Sequence, residues 1–228
     1  MSALVPKPTA LFQSSIGKKF IMGLTGLFLI SFLVVHCFIN SMVFFDASGA
    51  LFNDYAHFMG SNVIIRIMEV GLFGGLILHV IDGLMLYFQN RKARPVQYQY
   101  NNPNANSTWY SRSMALLGTL LLIFLIIHLE DFWLKSRITG LPESAVPGIH
   151  DLYAVMKAEF SHLPVVVLYV LAQFALGYHL LHGFKSAFQS LGLNHTKYNQ
   201  LINISGIAFS IVVPFIFAMM PICIYMRH

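Results

Sequence analysis

The chain has 228 residues, of which 57% are hydrophobic and 10% are charged, and its formal net charge is +5. Soluble domains usually carry about a quarter charged residues, so this composition argues against a soluble domain and favours a membrane protein. The length allows one membrane-spanning bundle and no large soluble module. The modest, unevenly placed positive charge also argues against nucleic acid as a partner.

Five apolar segments are long enough to cross a membrane, which takes about 20 residues of helix. They cover residues 19–45, 63–89, 112–134, 162–190 and 199–226. The sequence therefore predicts an all-α membrane protein, a single domain built as a bundle of five transmembrane helices. Pro214 and Pro221 are expected to kink the fifth helix. A short interfacial helix is expected over 152–160, and a loop over 97–107.

Basic residues are concentrated at one end of these segments. That end carries nine of them and no acidic residue in the same stretches: Lys7, Lys18, Lys19, Arg91, Lys92, Arg94, Arg112, Lys185 and Lys197. Acidic residues are concentrated at the other end. Because cytoplasmic loops are enriched in Lys and Arg, the N-terminus is predicted to be cytoplasmic, and five spans then place the C-terminus outside.

Each of the first four apolar segments contains a histidine deep inside it: His36, His79, His128 and His179. His36 lies 17 residues after Lys19, and this puts it about 25 Å from the predicted cytoplasmic end. His128 lies at nearly the same depth, 16 residues after Arg112. His79 and His179 each lie ten residues before a glutamine at that end, at a depth of about 15 Å. The depths therefore match His36 with His128, the far pair, and His79 with His179, the near pair.

Two facing imidazoles at each of two depths are the ligands that two stacked haems require, since a haem iron with two histidine ligands transfers electrons without binding oxygen. Gly83 and Gly183 follow the near-pair histidines by one helical turn and would let a porphyrin approach the backbone. His182, three residues after His179, is an alternative ligand. A single intramembrane histidine could equally serve as a hydrogen-bonding residue between helices, but four at paired depths favour haem.

The sequence resembles the single-polypeptide dihaem cytochrome b subunit of succinate dehydrogenase or fumarate reductase (succinate:quinone oxidoreductase). The resemblance rests on residues 14–19 (SSIGKK) before the first helix, and on 79–83 (HVIDG), 128–133 (HLEDFW), 179–183 (HLLHG) and Gly192. It implies five helices and two haem b groups. It also implies that the far pair binds the iron far from the soluble subunits and that the near pair, with His179 rather than His182, binds the other.

The resemblance further implies that this is the haem- and quinone-binding membrane subunit of an enzyme whose dicarboxylate chemistry lies on another subunit. A flavoprotein with FAD and a protein with iron–sulfur clusters would dock on the cytoplasmic face of a bacterial inner membrane. A quinone, commonly menaquinone in this family, would react near the far haem.

Several charged residues are candidates for this chemistry. The candidate quinone-site carboxylates are Asp54, Glu130 and Asp131, while Glu69 is expected to form an i,i+3 pair with Arg66. Candidate partners for the near-haem propionates are Arg112, Lys18 and Lys19.

Two other interpretations fit part of the pattern. A dihaem cytochrome b of a different membrane oxidoreductase, such as a nitrate reductase or a hydrogenase, would place its ligands differently across the helices. A haem-free membrane anchor or a small transporter would lack the need for paired histidines, and a transporter would more often contain an internal repeat or helices broken at the midplane. No such repeat is visible in the sequence.

Overall fold

The computed structural model describes residues 14–93 and 108–227, which are almost entirely helical and include no β-strand. The helices are α1 (Ser15–Asn40), α2 (Ala50–Ser61), α3 (Val63–Lys92), α4 (Trp109–Arg112), α5 (Met114–His128), α6 (Leu152–Phe160), α7 (Leu163–Ser190) and α8 (Asn199–Met226). A 3₁₀ turn, Ser41–Phe44, extends α1, and a π-helix, Leu129–Thr139, extends α5. The loop expected over 97–107 lies outside the described residues.

Within residues 14–93 and 108–227, five helical segments are long and apolar enough to cross a membrane. They are Ser15–Phe44, Val63–Lys92, Met114–Thr139, Leu163–Ser190 and Asn199–Met226. The chain therefore has the architecture of a multi-pass helical membrane protein, and the prediction of five apolar helices is confirmed. Which end of the bundle faces the cytoplasm stays a prediction.

Two of the predicted boundaries were wrong. The first helix begins at Ser15 rather than at residue 19, because the Ser14 side chain caps it by accepting a hydrogen bond from the Gly17 N–H at 3.0 Å. Most of the 14–19 motif therefore lies inside the helix. The third span continues past residue 134 as the π-helix and ends at Gly140, whose N–H donates to the Lys135 carbonyl oxygen. Gly140 has a φ of 93°, which glycine adopts without strain.

The first four spans form a four-helix arrangement. Helix α1 packs against α3 and α7, and α5 packs against α7. Helices α3 and α5 touch at few points, so the bundle is loosest between them. Helix α8 packs along α7 and also contacts α1. The four helices are therefore arranged around the bundle in the order α1, α3, α5, α7. In this order α1 lies diagonally opposite α5, and α3 lies diagonally opposite α7.

Helix α8 runs through both of its prolines as one helix. Pro214 has no N–H, so the carbonyl oxygen of Ser210, one turn earlier, lacks its usual helical partner. That oxygen faces Gly177 on α7, where an added Cβ would lie only 3.1 Å from it. The proline and the glycine thus lie together at a close approach of the two helices.

The end of the bundle where α1 finishes and α3 begins is covered by the short helices α2 and α6, the second of which was predicted. Asn53 joins them, because its Nδ2 donates to Asp151 at 2.8 Å and its Oδ1 accepts from the Tyr153 N–H at 2.9 Å. Arg227, just after α8, donates to the Val43 carbonyl oxygen at 2.6 Å. These contacts close the end of the bundle that is nearer to the far pair.

Candidate functional site

Each predicted histidine pair comes together between two diagonally opposite helices. The ring centroids of His36 on α1 and His128 on α5 are 5.8 Å apart. Those of His79 on α3 and His179 on α7 are 6.3 Å apart. Two imidazoles on opposite sides of one metal ion have centroids about 6 Å apart, because each metal–nitrogen bond is about 2 Å and each nitrogen lies about 1 Å from its ring centre. Both pairs have this spacing.

Two glycines show how far apart the pairs lie. An added Cβ on Gly26 would be 3.6 Å from Cε1 of His79, and one on Gly118 would be 3.9 Å from Cε1 of His179. Each glycine precedes the far-pair histidine of its own helix by ten residues. At a rise of 1.5 Å per residue, the two pairs are therefore about 15 Å apart along the bundle. Gly118 was not predicted from the sequence as a site residue. The feature that could have indicated it is its position as a single glycine in a segment rich in Leu and Ile.

Thr25 makes a side-chain contact with His79 that bears on which ring nitrogen carries the proton. The Thr25 hydroxyl lies 3.1 Å from Nδ1 of His79 and donates its only proton to the Ile21 carbonyl oxygen at 2.8 Å. In that arrangement the hydroxyl oxygen accepts from Nδ1–H, and a neutral His79 ring then keeps a free lone pair on Nε2. Metal-bound histidines commonly donate their other ring N–H in this way, which fixes the tautomer and the ring orientation.

The contact between Asn40 and His36 favours the other tautomer of the imidazole. Its Nδ2 donates to the His36 carbonyl oxygen at 2.8 Å and lies 3.3 Å from Nδ1 of the same residue. An amide nitrogen can only donate, so in this arrangement Nδ1 accepts and the proton is on Nε2. Iron at Nε2 would need that proton on Nδ1, with the Asn40 amide turned so that its oxygen accepts it.

The other two histidines each have a polar atom without a partner. Nδ1 of His128 and Nδ1 of His179 are buried, and neither has a hydrogen-bond partner among the described residues. Buried polar groups are normally paired, so an isolated one suggests an absent ligand, ion or water. Within the described part of the chain, no three His, Cys, Asp or Glu side chains cluster as a metal held by protein alone would require.

The predicted glycines differ in their surroundings. An added Cβ on Gly183 would meet no atom of the described residues within 4 Å. One on Gly83 would lie 3.4 Å from the terminal methyl of Met22, which is the flexible end of a side chain. The space beside Gly183 matches the role predicted for it more closely than the space beside Gly83 does. The ring spacing of both pairs and the space beside Gly183 are compatible with haem, whereas the Asn40 amide and the Met22 side chain would have to move to admit it.

The structure favours His179 over His182 at the near pair, because the ring of His179 is the one in contact with His79. His182 is half-buried one turn further along α7. Asp82, at the equivalent position on α3, is 4% exposed, and its Oδ2 has no partner in the described residues. Lys18 is also buried, and its charge lies within electrostatic range of Asp82.

The remaining predicted residues are the candidate propionate partners and the candidate quinone-site carboxylates. Arg112 ends the short helix α4, which packs against α7, and Lys19 is exposed on α1. Asp54 is exposed on α2, where it lines an open groove of about 350 Å³ with Tyr55 and Phe58. Glu130 is exposed, whereas Asp131 is buried. Asp131 is therefore the one candidate carboxylate of the three that lies inside the bundle.

Asp131 is connected to the far pair through Tyr169, which the sequence analysis missed. The Tyr169 hydroxyl donates to Asp131 at 2.5 Å, and its ring centroid lies 6.0 Å from that of His128. Lys135 and Glu159 form an ion pair within electrostatic range of Asp131. The available signal was spacing, since Tyr169 precedes His179 by ten residues and so lies about 15 Å away, level with the far pair.

Glu69 also lies level with the far pair, because it precedes His79 by ten residues on α3. Its carboxylate accepts hydrogen bonds from Arg66 at 2.8 Å, Trp133 at 2.5 Å and Arg137 at 3.4 Å. The pair with Arg66 was expected. The contacts with Trp133 and Arg137 were not, since both residues lie on the unpredicted π-helix.

No protein-family model, curated protein or solved structure matches the chain. The fold and the site still define a class. This is a multi-pass helical membrane protein in which two histidine pairs join diagonal helices at two depths.

Proposed function

We propose that the chain is the membrane anchor and electron-transfer subunit of a succinate:quinone oxidoreductase and that it holds two haem b groups. His36 and His128 would bind one iron, and His79 and His179 the other. The observation that carries this proposal is the presence of two imidazole pairs with centroids 5.8 and 6.3 Å apart at separate depths. When bound, each haem supplies a one-electron iron couple inside the membrane.

The chain's own residues orient and enclose the ligands. Thr25 holds His79 with Nε2 available, as described above. The far-pair rings contact phenylalanines from three helices and the π-helix: Phe32, Phe124, Phe132 and Phe217. Such an apolar surround limits the access of water and influences the redox potential of a bound metal. These contacts favour an electron-transfer site over one that is open to substrate.

Quinone chemistry also needs a group that exchanges protons. Among the candidates, Asp131 is the best supported, because it is buried and hydrogen-bonded to the tyrosine that contacts His128. A carboxylate at this position could exchange a proton with a quinone, commonly menaquinone in the family that the chain resembles. The Lys135–Glu159 ion pair would connect it to the nearby end of the bundle.

The opposite end of the bundle is proposed to face the cytoplasm of a bacterial cell. The charge asymmetry supports this orientation, because its helix ends carry Lys18, Lys19, Arg91 and Lys92. An iron–sulfur subunit would dock there and carry electrons to or from a flavoprotein with FAD, where the dicarboxylate reacts. Arg112 and Lys18 remain the proposed partners for the near-haem propionates.

A reduced-minus-oxidised absorption spectrum of the purified chain, with haem quantified per polypeptide, tests the proposal. We expect b-type bands and two haems. A folded preparation without iron or colour would overturn it and would favour a haem-free anchor. Two haems together with copurifying subunits that lack flavin would favour a different membrane oxidoreductase.

A further inference from the structure

We propose that Arg137 binds a propionate carboxylate of the haem held by the far pair, in a cationic pocket formed by Arg66, Glu69, Trp133 and Arg137. The inference rests on the proposed function, because it concerns a group on the haem. It assigns a ligand-binding role to residues that were expected to form at most a local ion pair.

The charges in the cationic pocket do not balance. Arg66 and Arg137 both contact Glu69, so two guanidinium groups share one carboxylate. Glu69 and Arg137 are only 17% and 25% exposed, whereas Arg66 is 47% exposed and pairs with Glu69 at the shorter distance of 2.8 Å. Arg66 makes the closer ion pair with Glu69, and the two arginines together exceed its charge by one. The positive charge of Arg137 is left in surplus within a membrane-spanning segment, where ionisable side chains normally pair.

The hydrogen-bonding capacity of Arg137 is also largely unused. A guanidinium has five N–H donors. Two of its nitrogens make long contacts, each 3.4 Å, one to Glu69 and one to the Gly60 carbonyl oxygen. Its Nε is buried and has no partner among the described residues. An arginine in this state can donate two N–H groups at once to a further carboxylate, which is the geometry that guanidinium groups favour.

The cationic pocket borders the far pair. Glu69 lies at the depth of the far pair, and Trp133 donates to it from the π-helix. Phe132, the residue before Trp133, contacts the ring of His128 with centroids 5.4 Å apart. The pocket also joins α3 to the π-helix across the loosest part of the bundle. A porphyrin between His36 and His128 would carry its propionate carboxylates at the same depth as these residues, which is the basis for assigning them to Arg137.

Charge and hydrogen bonding can be separated with two variants. Arg137→Gln removes both the positive charge and the paired N–H donors of the guanidinium. Arg137→Lys keeps the charge and loses the paired donors. Each is made in the unmodified chain and in a His79→Ala background that retains only the far haem. The measurements are the midpoint potential of the far haem and the propionate bending band in its resonance Raman spectrum. Lys157→Gln, which removes an exposed cation of α6 at the same end, is the matched control.

We expect Arg137→Gln to lower the far-haem potential, because the lost cation had disfavoured ferric iron, and to shift the propionate band. Arg137→Lys should shift the band with a smaller change in potential, and Lys157→Gln should change neither. A band that stays in place in both Arg137 variants would overturn the proposal, even if the potential falls. If Arg137→Gln fails to fold, Arg137→Lys still tests the band. Absence of haem from the unmodified chain would instead refute the proposed function.

Discussion

The Thr25 hydroxyl lies 3.1 Å from Nδ1 of His79, on a neighbouring helix. With its own proton donated within α1 to the Ile21 carbonyl oxygen, this hydroxyl can accept a hydrogen bond from Nδ1–H of His79, which would leave Nε2 of that ring free to bind a metal. One threonine therefore connects the packing of α1 against α3 to the chemistry of the near pair.

Replacing Thr25 with valine should weaken the near haem site while preserving the volume of the side chain. Loss of a hydrogen-bonding partner behind a metal-bound histidine typically lowers metal affinity about 10–100-fold. Haem retention during detergent dilution, followed by absorbance, measures the effect. Thr119→Val is the matched control, since Thr119 is exposed and its hydroxyl donates to the Ala115 carbonyl oxygen of its own helix. Equal haem loss from both variants would contradict this role for Thr25.

Alanine at either histidine of a pair should remove one haem and leave the other. His36→Ala and His128→Ala should give the same residual spectrum, and His79→Ala and His179→Ala should share a different one. His182→Ala, one turn beyond His179, should retain both haems because its ring does not contact His79. Potentiometric titration distinguishes the remaining haem in each case. If His182→Ala loses the near haem while His179→Ala keeps it, the assigned ligand is wrong.

Gly183→Ala separates packing of the polypeptide from room for a porphyrin. No described atom lies within 4 Å of the added Cβ, so in the haem-free chain alanine should stabilise α7 by about 1 kcal/mol through its helix propensity. If a porphyrin lies against this backbone, the same change should reduce near-haem content. Gly177→Ala should behave differently, because its Cβ would press on the Ser210 carbonyl oxygen and loosen α7 from α8. Haem content and thermal unfolding of both variants provide the comparison.

Asp131→Asn should slow quinone reduction by the assembled complex about 100-fold, a typical effect of losing a proton-transfer group, without loss of haem. Tyr169→Phe should also slow it, because Asp131 loses its hydrogen-bond donor. Glu130→Gln is the control, as this neighbouring carboxylate is exposed. Steady-state turnover with a soluble quinone measures all three. Normal rates in Asp131→Asn would exclude Asp131 from proton exchange.

Asp46 lies beyond the first span and offers a pH-dependent contact. Hydrogen bonds from the Leu51 N–H and from Ser48 lower the pKa of its carboxyl group below the ordinary value. Because the folded-state pKa is depressed, this stabilisation is present above the ordinary pKa of about 3.9 and is lost as the pH falls through the folded value. A carboxyl NMR titration should show the lowered pKa. Ser48→Ala should move it upward, whereas Ser144→Ala, whose hydroxyl bonds Val146 in its own loop, should leave it in place.

Some of this architecture follows directly from the sequence. Length and hydropathy are sufficient to locate α3, α7 and α8 within a few residues, and the constant rise of a helix is sufficient to match His36 in depth with His128. The π-helix after His128 could not be predicted, because its wider hydrogen-bonding pattern depends on local packing rather than on residue type. The contacts of Trp133 and Arg137 with Glu69 follow from that unpredicted turn, and so they were missed as well.

The short helix α2 illustrates a second limit. Residues 46–62 contain polar and apolar residues over too short a stretch to suggest a membrane span, and the segment was expected only to connect two helices. In the structure it forms Ala50–Ser61 and is held by Asn53 against the start of α6. That partner lies about a hundred residues away in the chain, so no local pattern could reveal it.

The diagonal arrangement of the histidines also constrains how the protein is made. Spans one and two together supply one histidine from each pair, so a nascent chain with only these two inserted has no complete set of ligands. The third span supplies His128 and completes the far pair, and the fourth supplies His179 and completes the near pair. If the pairs hold haem as proposed, loading should follow the order of biosynthesis, and chains truncated after the third span should already be able to acquire a single coloured centre.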